Sequence, residues 1–382
     1  MTSIDGGDLE HFSQAIQAAQ EGLVDRAGLV ETLVLAAVAD EHVLIVGPPG
    51  TAKSEAVRRV AAHLGGRYFE YLLGRFTEPN EIFGPIDLRR LRDGVVEIET
   101  TGMLPEAEIA FLDEVFLGST AILNTLLGVL NERVFRRGST VQRTPLRLCV
   151  GATNALPDDV ALAAFADRFL VRVFVDPVPD GQLGDLLAAG WERGRLDLPA
   201  EASIDALDRM RAARAACDLS VVRDDLATAL RAMRGAGVAL TDRRVVRSQS
   251  LVAAAATLAG RTVATRADLW PLPLIATTAA SQPVAREALA PLLDQADSAL
   301  LPTAAEELSA GPQARARRFV ASGTAILERV AGADAPPGTP LPLDEQLAVE
   351  ALLREIDAAV PADARSEELV AVRDRLVAAI AP

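Results

Sequence analysis

The chain has 382 residues, of which 50% are hydrophobic and 24% are charged, and this composition excludes an intrinsically disordered chain. The formal net charge of −15 argues against a protein that coats nucleic acid, because that affinity comes mainly from neutralising phosphates. Two cysteines exclude a disulfide framework, no apolar run approaches the ~20 residues of a membrane span, and the acidic N-terminus lacks an apolar signal core, so we expect a cytoplasmic protein.

The first half of the chain alternates helical periodicity with short apolar runs that read as buried strands. Strands are predicted at residues 41–47, 67–73, 108–115, 146–154 and 169–175, with helices between them and a hairpin at Asp93-Gly94. Buried strands that alternate with helices predict an α/β domain with a mostly parallel central sheet, covering about residues 1–178.

After Asp176-Pro177 the strand signal ends and helical patterns continue to the C-terminus. We predict an all-α lid at 179–280 and an α-helical C-terminal extension at 281–382. Within the extension, residues 331–344 contain four prolines and read as a linker, followed by two amphipathic helices that form a hairpin joined at Pro361. The sequence contains no internal repeat.

The stretch "VGPPGTAKSE" follows the first predicted strand and precedes a helix, which is the setting of a phosphate-binding loop. Ala52 stands where the pattern G-x-x-x-x-G-K-[ST] has its second glycine. Lys53 is the one lysine among 38 basic residues, at the position where an ammonium group reaches the β- and γ-phosphates. The residues predicted to bind ATP are Gly47, Pro48, Pro49, Gly50, Thr51, Ala52, Lys53, Ser54 and Glu55.

Polar side chains follow two other predicted strands. In "IAFLDE", Asp113 is predicted to hold Mg²⁺ together with Ser54, and Glu114 to polarise the attacking water. Asn154 ends the strand in "VGATN", where an amide can orient that water or sense the γ-phosphate. A solvated strand end and a turn-forming asparagine are the alternatives, and the preceding phosphate loop favours the catalytic reading.

Several arginines are candidates for neutralising the charge of the transition state. Arg168 in "FADRFLVR" precedes the last strand, away from its own phosphate loop, so we expect it to act on the ATP of a neighbouring subunit. A surface pair with Asp167 is the alternative, and Arg136 and Arg137 are weaker rivals.

In "LTDRRVVRS" one arginine is expected to fold back onto the phosphates from the helical region; Arg243 is preferred and Arg244 stays open. The three histidines show no metal-ligand spacing, and Cys149 is expected to be inert core.

Together these motifs resemble those of the AAA+ ATPases and, within them, the MoxR family, most closely its RavA branch. The resemblance runs from about residue 8 to about residue 280. It rests on "GPPGTAKS", "RFTEPNEIFGPIDLRRL", "TGMLPEAEIAFLDEV", "AILNTLLGVLNERVF" and "GATNALPDDVALAAFADRF", in that order. Ala before the lysine is the usual residue in that family.

The resemblance implies that Asn154 is sensor 1, Arg168 the arginine finger and Arg243 the sensor-2 residue. It also implies that about 84–108 is a helix-2 insert, a hairpin facing a central pore, and that "FRRGSTVQRTPLR" is a pre-sensor-1 hairpin. RavA proteins carry a further small domain with strands that binds a partner, whereas residues 281–382 read as helical here.

The family implies a homo-hexameric Mg-ATP-dependent chaperone that remodels or activates client proteins, commonly with a partner containing a von Willebrand factor A domain. Two alternatives remain. One is a nucleotide-gated scaffold with little hydrolysis, and the other, disfavoured by the net charge and the 4% aromatic content, is a nucleic-acid motor. No nucleic-acid partner is expected.

Overall fold

A five-stranded parallel sheet lies at the centre of the fold, as the sequence predicts. The computed structural model describes residues 4–192, 204–293, 296, 298–309, 312–332, 342–360 and 365–380. The strands of the sheet are β1 (Val43–Val46), β2 (Tyr68–Leu72), β3 (Ile109–Asp113), β6 (Leu148–Thr153) and β7 (Val171–Phe174). Their order is β2-β3-β6-β1-β7, and every neighbouring pair is parallel.

The register explains why the candidate residues meet. Leu44 of β1 lies opposite Gly151 of β6, and Leu112 of β3 lies opposite the same glycine. Because all the strands point the same way, the loops that follow β1, β3 and β6 leave the sheet at one edge. Ligands of open α/β sheets bind at that edge.

Helices cover both faces of the sheet and continue beyond it. Their bounds are α1 Gly6–Gln20, α2 Ala27–Ala39, α3 Lys53–Leu64, α4 Pro79–Phe83, α5 Leu88–Arg92, α6 Thr120–Glu132, α7 Val160–Ala166, α8 Leu183–Glu192, α9 Asp205–Ala215, α10 Arg223–Gly235, α11 Asp242–Leu258, α12 Ser281–Leu289, α13 Pro302–Ser309, α14 Pro312–Gly332, α15 Leu343–Ala359 and α16 Glu367–Ile380. No helix in the described part of the chain combines the length and apolar character of a membrane span.

The hairpin predicted at Asp93-Gly94 is wrong in its first arm. The chain does reverse there, with Gly94 at φ 79°, and Ile86 pairs with Ile98 in an isolated antiparallel bridge. The residues between, however, form the helix α5, because the Asp87 carboxylate caps its N-terminus and accepts bonds from two backbone N–H groups. The predicted second hairpin forms as β4 (Val134–Arg137) and β5 (Thr140–Arg143).

Beyond β7 the described residues form helices joined by loops and no strand, apart from one isolated bridge between Asp218 and Val263. One hydrophobic core contains residues of α2, α9, α11, α12 and α13 and so extends across the predicted domain boundaries near residues 178 and 280. These domain boundaries therefore stay predictions. Helices α14, α15 and α16 share a separate core. The ends of the predicted linker are helical. Three predicted segments lie outside the described residues: the centre of the linker (333–341), Pro361 at the hairpin joint, and 193–203 in the lid.

Candidate functional site

The phosphate loop joins β1 to the N-terminus of α3. Ala52 has left-handed backbone angles, φ 60° and ψ 26°, which explains why the general pattern has glycine at this position. For an L-residue this conformation costs roughly 1–2 kcal/mol, so the surrounding loop holds Ala52 against local strain. Lys53 is the first residue of α3, and its Nζ donates to Gly47 O at 2.7 Å and Pro48 O at 2.8 Å. The ammonium group therefore lies inside the loop.

Two carboxylates face this lysine. Burial lowers the pKa of Lys53, and the negative charges of Asp113 and Glu114 partly offset that effect. Asp113 is the last residue of β3, and its Oδ1 accepts a hydrogen bond of 2.9 Å from Glu114 N. Asp113 and Glu114 therefore leave the sheet next to the loop, although they lie 60 positions further along the sequence.

Asn154 meets Glu114 at the same edge. It follows β6 directly, and its Nδ2 donates to Glu114 Oε1. Glu114 itself has left-handed angles, with φ 48°. Burial raises the pKa of the Glu114 carboxyl, and the charge of Asp113 adds to this rise. A carboxylate with a raised pKa that accepts a bond from an amide is suited to holding a water molecule and taking its proton.

The oxygen atoms of this edge fit Mg²⁺. Ser54 offers a hydroxyl and Asp113 a carboxylate, which are hard ligands of the kind that this ion prefers. No group of three or more His, Cys, Asp or Glu residues that could hold a metal ion occurs among the described residues. Two protein ligands suit an ion that keeps several waters and binds substrate phosphates.

Arg26 contacts the phosphate loop and is not among the residues that the sequence predicts for this site. Its side chain is buried, and it donates from Nε to Thr51 O at 2.9 Å and from Nη2 to Asp176 O at 2.8 Å. Arg26 thus joins the phosphate loop to the segment after β7. Only its position just before the buried helix α2 marks it in the sequence, and that is a weak signal.

A cavity of about 1480 Å³ runs along the outer edge of β7 and is lined by Arg26 and Asp176 on the side of the sheet. Helices α12–α15 form the opposite wall, which includes Phe319 and Glu355. Glu355 Oε1 accepts a hydrogen bond of 2.6 Å from Gly181 N, so the C-terminal helices contact the segment that follows the sheet. The cavity lies on the side of β1 away from Asn154, and Arg26 links its lining to the phosphate loop through Thr51 O.

Arg168 and Arg243 lie at the other end of the strands, where the strands of the sheet begin. Arg168 precedes β7, whose first residue donates from Val171 N to His42 O, just before β1 begins. Arg243 Nη2 donates to Asn131 Oδ1 at 2.6 Å. Burial lowers the pKa of Arg243, and the positive charge of nearby Arg168 lowers it further. Within one chain Arg243 therefore lies away from the phosphate loop, because α11 packs against the end of the sheet where the strands begin. Its role at the phosphates stays a prediction.

Arg244 is occupied elsewhere. It is 0% exposed, pairs with Asp167 and donates to backbone carbonyls. Among the weaker rivals for the finger, Arg136 pairs with Glu132 at the end of α6, beside its own hairpin.

His42 and Cys149 are core residues. His42 Nδ1 accepts a bond of 3.1 Å from Cys149 N, and burial lowers the pKa of this imidazole well below its ordinary value. Burial also raises the pKa of the Cys149 thiol to about 12. Neither group is available for chemistry.

Comparison with known proteins identifies the family. Residues 10–213, more than half of the chain, match the family described as the MoxR domain in the MoxR-vWA-beta-propeller ternary systems. The chain belongs to the MoxR family of AAA+ ATPases.

Two relatives show how far the similarity extends along the chain. The chain is 35% identical over 251 residues to an uncharacterised protein of Methanocaldococcus jannaschii, a match that covers 64% of this chain and 66% of that protein. It is 27% identical over 183 residues to Chaperone MoxR1 of Mycobacterium tuberculosis, covering 45% of this chain and 46% of the relative. The chain thus spans less than two thirds of the length of either relative.

A solved structure supports the fold. The crystal structure of a candidate ATPase from Cytophaga hutchinsonii superposes with a TM-score of 0.61 at 14% identity, covering 76% of this chain and 96% of that one. At this identity the likeness concerns the fold alone.

Proposed function

We propose that this chain binds Mg-ATP at residues 47–55 and hydrolyses it. The observation that carries the proposal is the meeting of Lys53, Asp113, Glu114 and Asn154 at one edge of the sheet, although they come from three separate strand ends. Lys53 would release its two loop carbonyls and bind the terminal phosphates. Glu114 would take the proton of the attacking water, and Asn154 would fix the direction of the Glu114 carboxylate.

Ser54 and Asp113 would hold Mg²⁺, which supplies charge neutralisation at the phosphates. The base of the nucleotide would lie in the cavity beside Arg26. With the terminal phosphate directed towards β3 and β6, the base points to the other side of β1, where β7 and this cavity lie. A pocket between apolar side chains and a few polar groups is the usual setting of a nucleotide base.

We propose that the complete site forms between two subunits, in a homo-hexameric ring. The four residues of β1, at about 3.3 Å each, separate the two edges of the sheet by about 13 Å. Arg168 and Arg243 lie at the edge away from their own phosphate loop, so each would act on the ATP of a neighbour. Such a head-to-tail contact closes into a ring of six subunits when each contact rotates the next subunit by about 60°.

The work done with this ATP is proposed by family analogy. A von Willebrand factor A domain partner is suggested by the wording of the matched family, and client remodelling by the name of the mycobacterial relative. The insert and the β4–β5 hairpin are joined by a bond of 2.9 Å from Ile98 N to Thr140 Oγ1, and they expose Leu88 and Val141. These apolar side chains are suited to contact a client protein. The likeness to the RavA branch stays a prediction.

The test is Glu114→Gln, which keeps the shape and removes the base. We expect ATP binding to persist and hydrolysis to fall at least about a hundredfold. Glu10→Gln, an exposed carboxylate on α1, is the matched control and should keep full activity. An unchanged rate in Glu114→Gln would refute this assignment. A wild-type chain that binds Mg-ATP without hydrolysing it would instead favour the scaffold.

A further inference from the structure

The guanidinium group of Arg244 makes four hydrogen bonds inside the protein. Its Nε donates to Asp167 Oδ1 at 2.9 Å, and its Nη2 donates to Phe169 O at 2.9 Å. Its Nη1 donates to Leu170 O at 2.7 Å and to Ile275 O at 3.1 Å. Three of the four acceptors lie within two positions of residue 168.

These bonds fix the backbone on both sides of Arg168. The segment is short, since it connects the end of α7 to the start of β7, and Arg168 N itself bonds to Phe165 O at 3.0 Å. By contrast, the Nε of Arg168 is buried and has no hydrogen-bond partner within the described residues. The backbone of this residue is therefore held firmly while its side-chain donor is not committed to its own subunit.

We propose that Arg244 is the positioning residue of the arginine finger, and that it couples the orientation of the lid to the position of Arg168. The inference rests on the proposed function, in which Arg168 acts on the ATP of a neighbour. Arg244 lies in the first turn of the lid helix α11 and also bonds Ile275 O in the same helical region. A rotation of the lid relative to the sheet therefore moves the segment 167–170, and the finger moves with it.

A planar guanidinium with several fixed donors is needed for this role. A lysine at position 244 keeps the charge but presents a single ammonium group, which cannot reach the carboxylate and the carbonyls together. A displacement of about 1 Å in a catalytic group can lower a rate about a hundredfold. We therefore expect Arg244→Lys to lower kcat by about ten- to a hundredfold and to leave KM for Mg-ATP nearly unchanged.

Asp167→Asn weakens the same link from its other end without removing the buried arginine, so it keeps the inference testable if Arg244→Lys folds poorly. Arg247→Lys is the matched control. Arg247 lies one turn further along α11 and also binds the lid to the sheet, through Glu41 at 2.8 Å, but it has no bond to the segment 167–170. We expect it to keep kcat within about twofold, because the hydrogen bonds that hold residues 167–170 stay intact.

Mixing full-length subunits separates a positioning role from a loss of stability. Lys53→Met subunits have a disabled phosphate loop and an intact finger, and Arg168→Ala subunits have the reverse. In a ring of both subunits mixed equally, about one interface in four joins an intact phosphate loop to an intact finger, so ATPase activity returns. Arg244→Lys subunits should regain activity when mixed with Lys53→Met subunits and fail to regain it with Arg168→Ala subunits.

Recovery of activity between Arg244→Lys and Arg168→Ala would overturn the inference, because it would mean that the finger of the Arg244→Lys subunit is in place. An unchanged kcat in Arg244→Lys would overturn it as well. Failure of Lys53→Met and Arg168→Ala to restore each other would refute the composite site itself, and thus the proposed function of Arg168.

Discussion

Replacing the buried carboxylate Glu31 by glutamine should make the protein more stable in mild alkali. Glu31 lies in α2 and is 2% exposed, and its Oε2 accepts a bond of 2.7 Å from Ala304 N at the start of α13. Burial raises its pKa from 4.5 to about 7. The folded protein therefore holds a proton between these values that the unfolded chain has lost, so stability falls as pH rises through this window.

The magnitude follows from the two pKa values. A difference of about 2.5 corresponds to about 3 kcal/mol over the whole window, of which about 1.4 kcal/mol falls between pH 6 and pH 8.5. Unfolding is not measured below pH 6, because a protein near its isoelectric point, here about 4.8, has little net charge and tends to associate. Urea unfolding of both proteins at pH 6 and 8.5 should show that the advantage of Glu31→Gln over wild type grows by about 1.4 kcal/mol.

The comparison uses the difference between two proteins because other groups titrate in the same range. Glu10→Gln, which removes an exposed carboxylate, controls for the change in net charge. If the difference between Glu31→Gln and wild type is the same at both pH values, the argument from burial is wrong.

Three further predictions follow from the described contacts. Arg26→Ala should raise KM for ATP at least about tenfold, with a smaller change in kcat, because Thr51 O and Asp176 O lose a shared donor. Steady-state kinetics test this prediction, and an unchanged KM would contradict it. His42 should stay neutral at pH 6 in the folded protein, so that its contribution to stability is lost as pH falls below about 6.5; an NMR titration that shows a charged imidazole at pH 6 would refute this. In a Cys217→Ala background, Cys149 should react with a thiol reagent at pH 8 only after unfolding, and rapid reaction of the native protein would show that it is accessible.

The sequence was sufficient to predict the parallel sheet and the meeting of Lys53, Glu114 and Asn154 at one edge of it. Apolar runs such as Val43–Val46 form strands because they are buried on both faces, and the polar residue that ends each run must emerge at the carboxyl edge. The meeting of Asp113, Glu114 and Asn154 follows from that rule alone. These patterns are local in the sequence, so they can be recognised without a structure.

The placement of the lid could not be predicted in this way. Arg243 lies beside Arg168 because α11 packs against the edge where the strands begin, and packing between distant segments leaves no periodic signal. The same holds for Arg26, whose acceptors at residues 51 and 176 are distant in sequence. The helix α5 was missed for a different reason, since the Asp87 cap starts a short helix directly before the turn at Asp93-Gly94, and the turn signal alone suggested a strand there.

The most direct test of the account is the steady-state ATPase rate per subunit, measured against protein concentration with and without Mg²⁺. A site completed by Arg168 of a neighbour predicts a rate that rises with concentration until rings are formed, and that needs Mg²⁺ throughout. A measurable rate that stays constant down to concentrations at which the protein is monomeric would contradict the composite site. No turnover at any concentration in the presence of Mg²⁺ would contradict the proposed hydrolysis itself.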